Sequence, residues 1–417
     1  MNKRERIILL LLATLNFTHI LDFMIVMPLG NYLMPYFDIS SQQFSMIVAS
    51  YTFSAGVSGF LAAFFVDRFD RKKVLLFAYA GFLIGTLFCA MSPAYWVLLV
   101  SRIFTGMFGG LIAAQVLSIV ADVFPYERRA AAMGVIMAAF SAASVIGVPF
   151  ALYIANVFNW HAPFFFVVVL GSLLIPFLIR FLPRMDGHLH KDAQPRTSPF
   201  ELLGDIVRNP GQKLALSLTA VLMLGHFIII PFINPFMEFN MGFSKSQTPL
   251  IYMVGGAFTM FTSPMIGRLA DRIGKYKLYV ILALSSLPLI ILITDLPVMP
   301  FYLVLLLMGV WFVVASGRLI PTQAMISEVV PPERRGSFMS FNSSVQQISV
   351  GLSSVLAGLI VVKMPDNKLL NYEVTGYFSV GVILLSIVFA TLLHRRLRGD
   401  SQQESVLSSE VEVSEAA

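Results

Sequence analysis

AFFVDRFDRKK at positions 63–73 and GRLADRIGKYK at positions 267–277 are two copies of one motif, 204 residues apart. Each copy ends one long apolar run and precedes the next, and each places an Asp-Arg pair (Asp67-Arg68 and Asp271-Arg272) before further basic residues. Basic clusters at the ends of apolar runs are typical of the cytoplasmic surface of a membrane protein. Their recurrence at half-length spacing predicts a membrane bundle built from two similar halves.

The composition excludes an ordinary water-soluble protein. The chain has 417 residues, of which 57% are apolar and 12% charged, whereas soluble domains average about 25% charged residues. A bilayer core of ~30 Å requires ~20 apolar residues in a helix, and such long, uniformly apolar runs do not suit barrel strands. We therefore predict an all-α membrane protein with twelve transmembrane helices, at about 7–34, 44–66, 74–92, 95–121, 131–157, 162–182, 214–237, 248–270, 278–294, 299–327, 337–362 and 374–394.

The distribution of basic residues predicts the orientation. Of the 29 Lys and Arg residues, only five lie away from one set of helix ends. Lys245, Lys363 and Lys368 occupy the opposite loops, and Arg102 and Arg318 lie inside apolar runs. The positive-inside rule then places both termini in the cytoplasm of a multi-pass inner-membrane protein. The basic residues form no single patch, so the net charge of +6 does not indicate nucleic-acid binding.

A second repeated motif supports the division into halves. DVFPYERR at 122–129 returns as EVVPPERR at 328–335. Each half holds six runs, so both enter the membrane from the same side as a parallel pseudo-repeat. The predicted organisation is an N-terminal six-helix bundle, a cytoplasmic linker in which 198–207 fit a short amphipathic helix, a C-terminal six-helix bundle and a disordered acidic tail, over 1–182, 183–213, 214–398 and 399–417 respectively.

At these motifs the chain resembles the major facilitator superfamily over about 1–398. The loop signature of that family, Gly-x3-Asp-Arg-x2-Gly-Arg-Lys, is well kept from Gly267 onward, whereas Ala63 and Asp70 replace its two glycines in the first copy. Arg102, followed by glycines, resembles the fourth-helix motif of proton-coupled members. ASVIGVPFA at 143–151 resembles the fifth-helix motif of the twelve-helix drug:proton antiporters, in the form of their sugar/arabinose-efflux-like branch.

The resemblance implies secondary active transport by alternating access, with a monomer, a small-molecule substrate, protons and the lipid bilayer as partners. It favours proton-coupled efflux (antiport) of a small organic molecule such as a drug or a sugar. A proton symporter or facilitator for uptake of a small metabolite is an alternative, and so is a membrane receptor that does not transport. The sequence has no Walker-type phosphate loop and one cysteine, Cys89, so we expect no cofactor, no bound metal and no enzymatic activity.

Four ionisable residues inside the apolar runs are the strongest functional candidates. Asp22, Arg102, His226 and Arg318 lie in the first, fourth, seventh and tenth runs, and the helices in these positions line the central cavity of the resembling family. A charge at mid-bilayer costs ~2.5–3.5 kcal/mol on insertion scales, so such residues are functional by default.

Asp22 and Arg102 are predicted to couple transport to protons. Helix rise places the two at similar depth. Desolvation favours a neutral carboxyl and a nearby guanidinium favours a charged one, so Asp22 would take and release a proton as its contact with Arg102 changes. The alternative is a static buried ion pair. His226 is predicted as a relay or as a hydrogen-bonded helix contact, and His19, one turn before Asp22, would extend the relay.

Arg318 is predicted to bind an anionic or hydroxylated substrate group, to snorkel, or to pair with Glu328. Other polar residues in the runs are candidate substrate contacts or helix–helix hydrogen bonds. They are Asn16, Tyr51, Gln115, Asn234, Tyr252, Gln323, Asn342 and Gln346.

Two further groups are predicted to serve the motion between states. The first group would form a conformational latch at helix ends, or only anchor the loops. It consists of Asp67, Arg68, Arg71, Asp271 and Arg272. Small residues and a proline would allow close packing and a bend of the fifth helix. They are Gly106, Gly110, Gly147, Pro149 and Gly351.

Overall fold

The computed structural model describes residues 3–65, 69–124, 126–185, 204, 208–330 and 332–415. Twelve helical segments in this part of the chain are long and apolar enough to cross a membrane. The prediction of an all-α protein with twelve spans is therefore confirmed. The amphipathic helix predicted at 198–207 lies outside the described residues, apart from Gly204.

The first half contains spans one to six. Their helices are α1 (Lys3–Val26), followed by the short α2 (Gly30–Tyr36), then α3 (Ser41–Phe65), α4 (Arg71–Ala90), α5 (Tyr95–Val123), α6 (Tyr126–Ala142) with α7 (Val148–Val157), and α8 (Ala162–Phe181).

The second half contains spans seven to twelve. Their helices are α9 (Pro210–Phe227) with α10 (Ile230–Phe239), then α11 (Thr248–Ile273), α12 (Lys275–Thr294), α13 (Phe301–Gly317) with α14 (Leu319–Ser327), α15 (Pro332–Ile360) and α16 (Tyr372–Glu415). A short hairpin, whose strands β1 (Val362–Lys363) and β2 (Leu369–Leu370) have two residues each, joins α15 to α16. We call the side that holds both chain termini the terminus side, and the opposite side the far side.

Local sequence sets the helix starts. Ser40 and Gln43 form a capping box before α3, in which the Ser40 hydroxyl accepts from the Gln43 N–H at 3.2 Å and the Gln43 amide oxygen accepts from the Ser40 N–H at 2.9 Å. Asp70 caps α4 by accepting from the Lys72 N–H at 2.8 Å. Asn209 caps α9, and Pro210 follows at the first helical position, where a missing N–H costs nothing.

Prolines interrupt the helices at equivalent places in the two halves. The first span breaks at Pro28, between α1 and α2, and the seventh breaks before Pro231, between α9 and α10. The tenth span breaks at Arg318, three residues before Pro321. Each proline removes an intrahelical hydrogen bond. In the fifth span a π-helical turn at Ala143–Gly147 precedes Pro149, which agrees with the bend expected there.

The halves also repeat an ion pair. Arg71, at the start of α4, bonds Asp122 at the end of α5 with an Nε–Oδ2 distance of 2.5 Å. The corresponding residues of the second half, Lys275 at the start of α12 and Glu328 just after α14, form the same pair. Both pairs lie on the terminus side. The structure therefore shows the two bundles as copies of one arrangement.

The halves meet along two helix pairs and at the far side. α3 packs along α15, and α11 packs on the π-helical turn and α7. At the far side α2 contacts α10. These contacts join the two bundles while leaving the terminus-side ends of the fourth and tenth spans without extensive mutual packing among the described residues.

The acidic tail differs from the prediction of disorder. α16 continues as a helix to Glu415. No proline or glycine occurs after Gly399, and Gln, Glu, Leu and Ala in this segment favour helix. The twelfth span can therefore propagate into the tail, because adding a residue to an existing helix avoids the cost of nucleation.

Candidate functional site

Asp22 and Arg102 form an ion pair inside the first half. Arg102 Nη1 donates to Asp22 Oδ2 at 2.6 Å, and the two side chains are 0% and 1% exposed. The carboxylate faces neither lipid nor open water in this structure. The other carboxylate oxygen, Oδ1, has no hydrogen-bond partner among the described residues, because the neighbouring Thr86 hydroxyl donates to the Phe82 carbonyl. The pair is thus half satisfied.

The guanidinium of Arg102 has a second partner. Its Cζ lies 4.3 Å from the centroid of the Tyr51 ring, a geometry in which the ring face attracts a cation. The Phe23 ring in turn stacks on the Tyr51 ring, with the two centroids 5.6 Å apart. Arg102 therefore contacts an acid and an aromatic face at once.

Further polar atoms in this cluster have no protein partner. The Tyr51 hydroxyl and both ring nitrogens of His19 are buried without hydrogen bonds among the described residues. Both groups converge on Gly109: a Cβ there would lie 2.6 Å from Tyr51 Oη and 2.9 Å from His19 Nε2. Buried polar atoms are rarely left without partners. This cluster therefore offers unsatisfied donors and acceptors beside the acid, which suits uptake of a proton or of water.

The second half has basic and aromatic groups at its core, and no buried acid is paired with them among the residues that the structure describes. The His226 ring stacks on Trp311 with centroids 6.0 Å apart, and its Nδ1 has no partner among the described residues. His226 lies 204 positions after Asp22, so the repeat places an imidazole where the first half has a carboxyl group.

Arg318 points within its own half. Its Nη1 donates to Ser286 Oγ in α12 at 3.0 Å, and its Nε donates to the Ala315 carbonyl at 3.4 Å. The residue is 1% exposed. The predicted pairing with Glu328 is wrong, because Glu328 bonds Lys275 instead. The cation lies at the break between α13 and α14 and is held by these two neutral acceptors.

A small cleft, with room for about one water molecule, opens between the halves and is lined by α3, α5 and α15. Gly59 and Gly110 line it on one side, and Ser343, Ser344 and Gln347 supply polar groups. Gly110 lies eight residues beyond Arg102, about 12 Å along the helix. The cleft therefore ends short of the Asp22–Arg102 pair, on its terminus side.

The remaining substrate candidates are dispersed. Asn234 donates to the Pro28 carbonyl of the other half at 2.6 Å. Asn16 donates to the Ile136 carbonyl at 3.2 Å, and Asn342 accepts from Thr219 at 2.6 Å. These three serve as contacts between helices. Buried polar atoms without partners among the described residues occur in Gln115, Tyr252 and Gln323, while Gln346 is half-buried.

The latch candidates have different fates. Asp67 and Arg68 lie outside the described residues. Asp271 and Arg272 are exposed at the end of α11 and make no ion pair with a described residue. Arg71 contacts Asp122 within its own half. The described part of the chain thus shows a terminus-side ion pair in each half and no latch between the halves.

The packing candidates occupy tight contacts. A Cβ at Gly106 would overlap Ser54 and the Tyr51 carbonyl, and one at Gly110 would overlap Ala55 and Ser58. These glycines allow α5 to approach α3 closely. Gly147 lies against Leu21 of the first span, and Gly351 lies against Thr52 across the halves, each with 2.8 Å to the nearest atom from an added Cβ.

The polar contacts at the far side were not predicted from the sequence. Asn31 of α2 donates to the Glu238 carboxylate of α10. Lys363 of the hairpin contacts the Met34 and Ile39 carbonyls at 3.3 and 3.4 Å and Asp38 at 3.8 Å. Glu238 could have been singled out as an acid at the end of an apolar run interrupted by prolines. Its partner Asn31 could not, because residue spacing does not show which residues of the two halves meet.

Comparisons with known proteins agree on the type of fold. The family model described as Major Facilitator Superfamily matches residues 12–318 and 215–414. An uncharacterized MFS-type transporter, YceJ of Bacillus subtilis, is 21% identical over 384 residues, which are 89% of this chain and 92% of that protein. A probable sugar efflux transporter of Helicobacter pylori is 21% identical over 351 residues, covering 84% of this chain and 86% of that protein.

Among solved structures, a D-xylose–proton symporter superposes with a TM-score of 0.74 at 17% identity. The match covers 91% of this chain and 96% of the symporter.

Proposed function

Because this chain belongs to the Major Facilitator Superfamily, we propose that it is a proton-coupled secondary transporter that exports a small organic molecule. Alternating access by the two bundles would carry the substrate, with both termini in the cytoplasm of an inner-membrane monomer. The observation that carries the proposal is the ion pair of Asp22 and Arg102, fully buried in the first half with one carboxylate oxygen unsatisfied.

The pair is built to exchange a proton. When Arg102 bonds the carboxylate, the charged form of Asp22 is favoured; when the guanidinium withdraws, desolvation favours the neutral acid. Tyr51 gives Arg102 another partner at 4.3 Å, so the cation is not left alone while Asp22 carries the proton. His19 and Tyr51 supply the polar atoms through which the proton would reach Asp22.

The cleft between α3, α5 and α15 is the proposed entrance for substrate from the terminus side. Its serine hydroxyls would hydrogen-bond a small molecule once the bundles part and widen the cleft. Asp22 is closed off from water in this structure, so rocking of the bundles has to open its access during the cycle. A carrier that is occluded in one state keeps protons from leaking without substrate.

Efflux is favoured by the similarity to a probable sugar efflux transporter along 84% of this chain and by the π-helical turn before Pro149, which lies within the antiporter-like motif. Proton-driven uptake is the alternative. Arg318 remains a candidate for a substrate group, although its contacts with Ser286 and Ala315 point away from the cleft.

The experiment is substrate-dependent proton flux in proteoliposomes loaded with a pH-sensitive dye, across a panel of drugs, sugars and carboxylates. An antiporter moves protons opposite to the substrate, whereas a symporter moves them with it. Asp22→Asn should abolish the flux and leave substrate binding intact. The matched control is Asp366→Asn, an exposed acid in the far-side hairpin, which should behave as wild type. Normal flux in Asp22→Asn would overturn the proposal.

A further inference from the structure

Glu238 lies at the boundary of the two bundles, on the far side. It belongs to α10 in the second half, and its side chain is 13% exposed. Its Oε2 accepts a hydrogen bond from Asn31 Nδ2, and Asn31, in α2 of the first half, is buried. A single carboxylate therefore connects the short helices that follow the breaks in the first and seventh spans.

One basic residue supports the carboxylate. Lys245 Nζ lies 3.9 Å from Glu238 Oε1 and 4.5 Å from the centroid of the Tyr32 ring in α2. Lys245 thus contacts the carboxylate of its own half and an aromatic face of the other half. Both contacts draw α2 toward α10, and the first of them depends on the negative charge of Glu238.

The other ionisable groups nearby are engaged elsewhere. Lys363 contacts Asp38 and two backbone carbonyls. Tyr372, from α16, packs its ring on Phe236 and donates to the Ile229 carbonyl. Among the described residues, Tyr32 and Lys245 are therefore the titratable side chains whose contacts link them to Glu238.

The apolar contacts around this point are close and leave the polar contacts little freedom. Gly30, the first residue of α2, packs so tightly that an added Cβ would lie 2.9 Å from Pro235 and 2.7 Å from Phe44. Asn234 donates to the Pro28 carbonyl at 2.6 Å. If alternating access opens the far side by parting α2 from α10, the contacts of Gly30 with Pro235 and of Asn234 with Pro28 break.

We propose that Glu238 is a second proton-binding residue of the transport cycle, whose carboxylate holds the far side closed and whose protonation frees α2 from α10. This rests on the alternating access proposed above. A neutral carboxyl loses its attraction to Lys245, and its hydrogen bond from Asn31 is no longer charge-assisted, which makes that bond about half as strong. Asp22 would then carry the coupled proton, and Glu238 would sense protons at the far side.

Spin labels on two exposed far-side loops measure the opening directly. Ala94 precedes α5 in the first half, and Val298, which is 99% exposed, precedes α13 in the second. Both are changed to Cys in a Cys89→Ala, Asp22→Asn background, so that Asp22 does not titrate. The label-to-label distance distribution is recorded by electron spin resonance at about pH 8 and about pH 3, which bracket the titration of a carboxyl.

Acidification should raise the ratio of open to closed populations by about fivefold, the factor expected when a charge-assisted hydrogen bond becomes a neutral one. Glu238→Gln, which keeps an acceptor for Asn31, should show the acidic ratio at both pH values. Glu328→Gln, the same change at the terminus side, should retain the response of the background. A pH response that survives Glu238→Gln would overturn the proposal.

Lys245→Gln provides a test that does not depend on a change at Glu238. Lys245 is 46% exposed, so its replacement should not impair folding. It should raise the open population at alkaline pH by about two- to fivefold, as expected for loss of an exposed ion pair, and by a smaller factor in acid, where only the contact with Tyr32 is lost. No change at alkaline pH would count against the proposal. The results for Glu238→Gln and Lys245→Gln do not depend on whether Asp22→Asn stops proton flux. Failure of this proposal can therefore be told apart from failure of the proposed transport function.

Discussion

The two halves have the same fold but different charges at their centres. In the first half, the carboxylate of Asp22 and the guanidinium of Arg102 neutralise each other at 2.6 Å. In the second half, His226 takes the position that corresponds to Asp22, and Arg318 bonds Ser286 and a backbone carbonyl. A repeat can therefore preserve the helices, the break in the first span of each half and the terminus-side ion pairs, while among the described residues only the first half has an ion pair at its centre.

The different charges at the two centres determine how each half should respond to the loss of one charge. A buried ion pair is costly to break from one side, because the remaining charge is uncompensated. Removing a buried cation that bonds only neutral acceptors leaves no unpaired charge behind. We therefore expect the first half to respond strongly to loss of one charge and the second half to respond weakly.

The largest effect is expected for Arg102→Met compared with Arg318→Met. Arg102→Met leaves Asp22 buried without a counter-ion and should lower the free energy of unfolding by about 3–5 kcal/mol. Arg318→Met removes two hydrogen bonds of about 1 kcal/mol each and also the cost of burying a cation, so the net change should be small. Thermal unfolding is followed by dye labelling of the single, buried thiol of Cys89.

Two results sharpen this comparison. The loss in Arg102→Met should shrink in acid, because a protonated carboxyl needs no counter-ion. The double variant Asp22→Asn/Arg102→Met should recover most of the stability, since neither charge remains. Equal losses in Arg102→Met and Arg318→Met would show that the two halves do not differ in this respect.

A smaller effect is expected for Gly109→Ala. The added Cβ would lie 2.6 Å from Tyr51 Oη and 2.9 Å from His19 Nε2, so both side chains must shift, at a cost of about 1–3 kcal/mol. Gly381→Ala in α16 is the control from the second half. No atom lies within 4 Å of its added Cβ, and the better helix propensity should stabilise by up to about 1 kcal/mol. Equal thermal midpoints for the two variants would contradict the expectation.

In the second half, neutral hydrogen bonds should matter more than charges. Thr219→Val removes the 2.6 Å bond to Asn342 and leaves a buried amide without partners, which should cost about 1–3 kcal/mol. Thr262→Val is the matched control, because the Thr262 hydroxyl lies on an exposed face and bonds its own helix. If chemical unfolding gives the same stability for both, the buried bond contributes nothing.

The smallest effects are expected for the repeated ion pairs on the terminus side. Lys275 and Glu328 are 34% and 43% exposed, so Lys275→Met should change stability by no more than about 0.5–1 kcal/mol. Arg71 is 11% exposed, and Arg71→Met should cost more than Lys275→Met. The reverse order in a thermal scan would show that the two pairs are not equivalent copies.

Much of the fold follows from the sequence because apolar run length and basic loop ends are local properties. The twelve spans and the two-fold repeat are confirmed. The repeat also explains a departure from the loop signature: Gly274 ends α11 at a φ of 96°, a conformation that favours glycine, whereas Asp70 in the same place caps α4 with its side chain. The corresponding turns are therefore made by a positive φ at Gly274 in the second half and by a side-chain cap at Asp70 in the first half.

The partners of single side chains were less predictable. Helix depth brought Asp22 and Arg102 to the same level, and the structure places them in contact. Depth gave no information on the direction in which Arg318 points, because its rotation about the helix depends on the break before Pro321. The bond between Asn31 and Glu238 joins residues that only the packing of the two halves brings together.

The most direct measurement is a pH-induced infrared difference spectrum of the purified protein, which needs no substrate. If Asp22 gains and loses a proton inside the first half, the wild type should show the carbonyl stretch of a protonated, buried carboxyl that disappears as pH rises. Asp22→Asn should lose the Asp22 share of this band and keep only the contribution of Glu238, while Asp366→Asn should keep the band in full. A band of unchanged size in Asp22→Asn would contradict the account, since the titrating acid would then lie elsewhere.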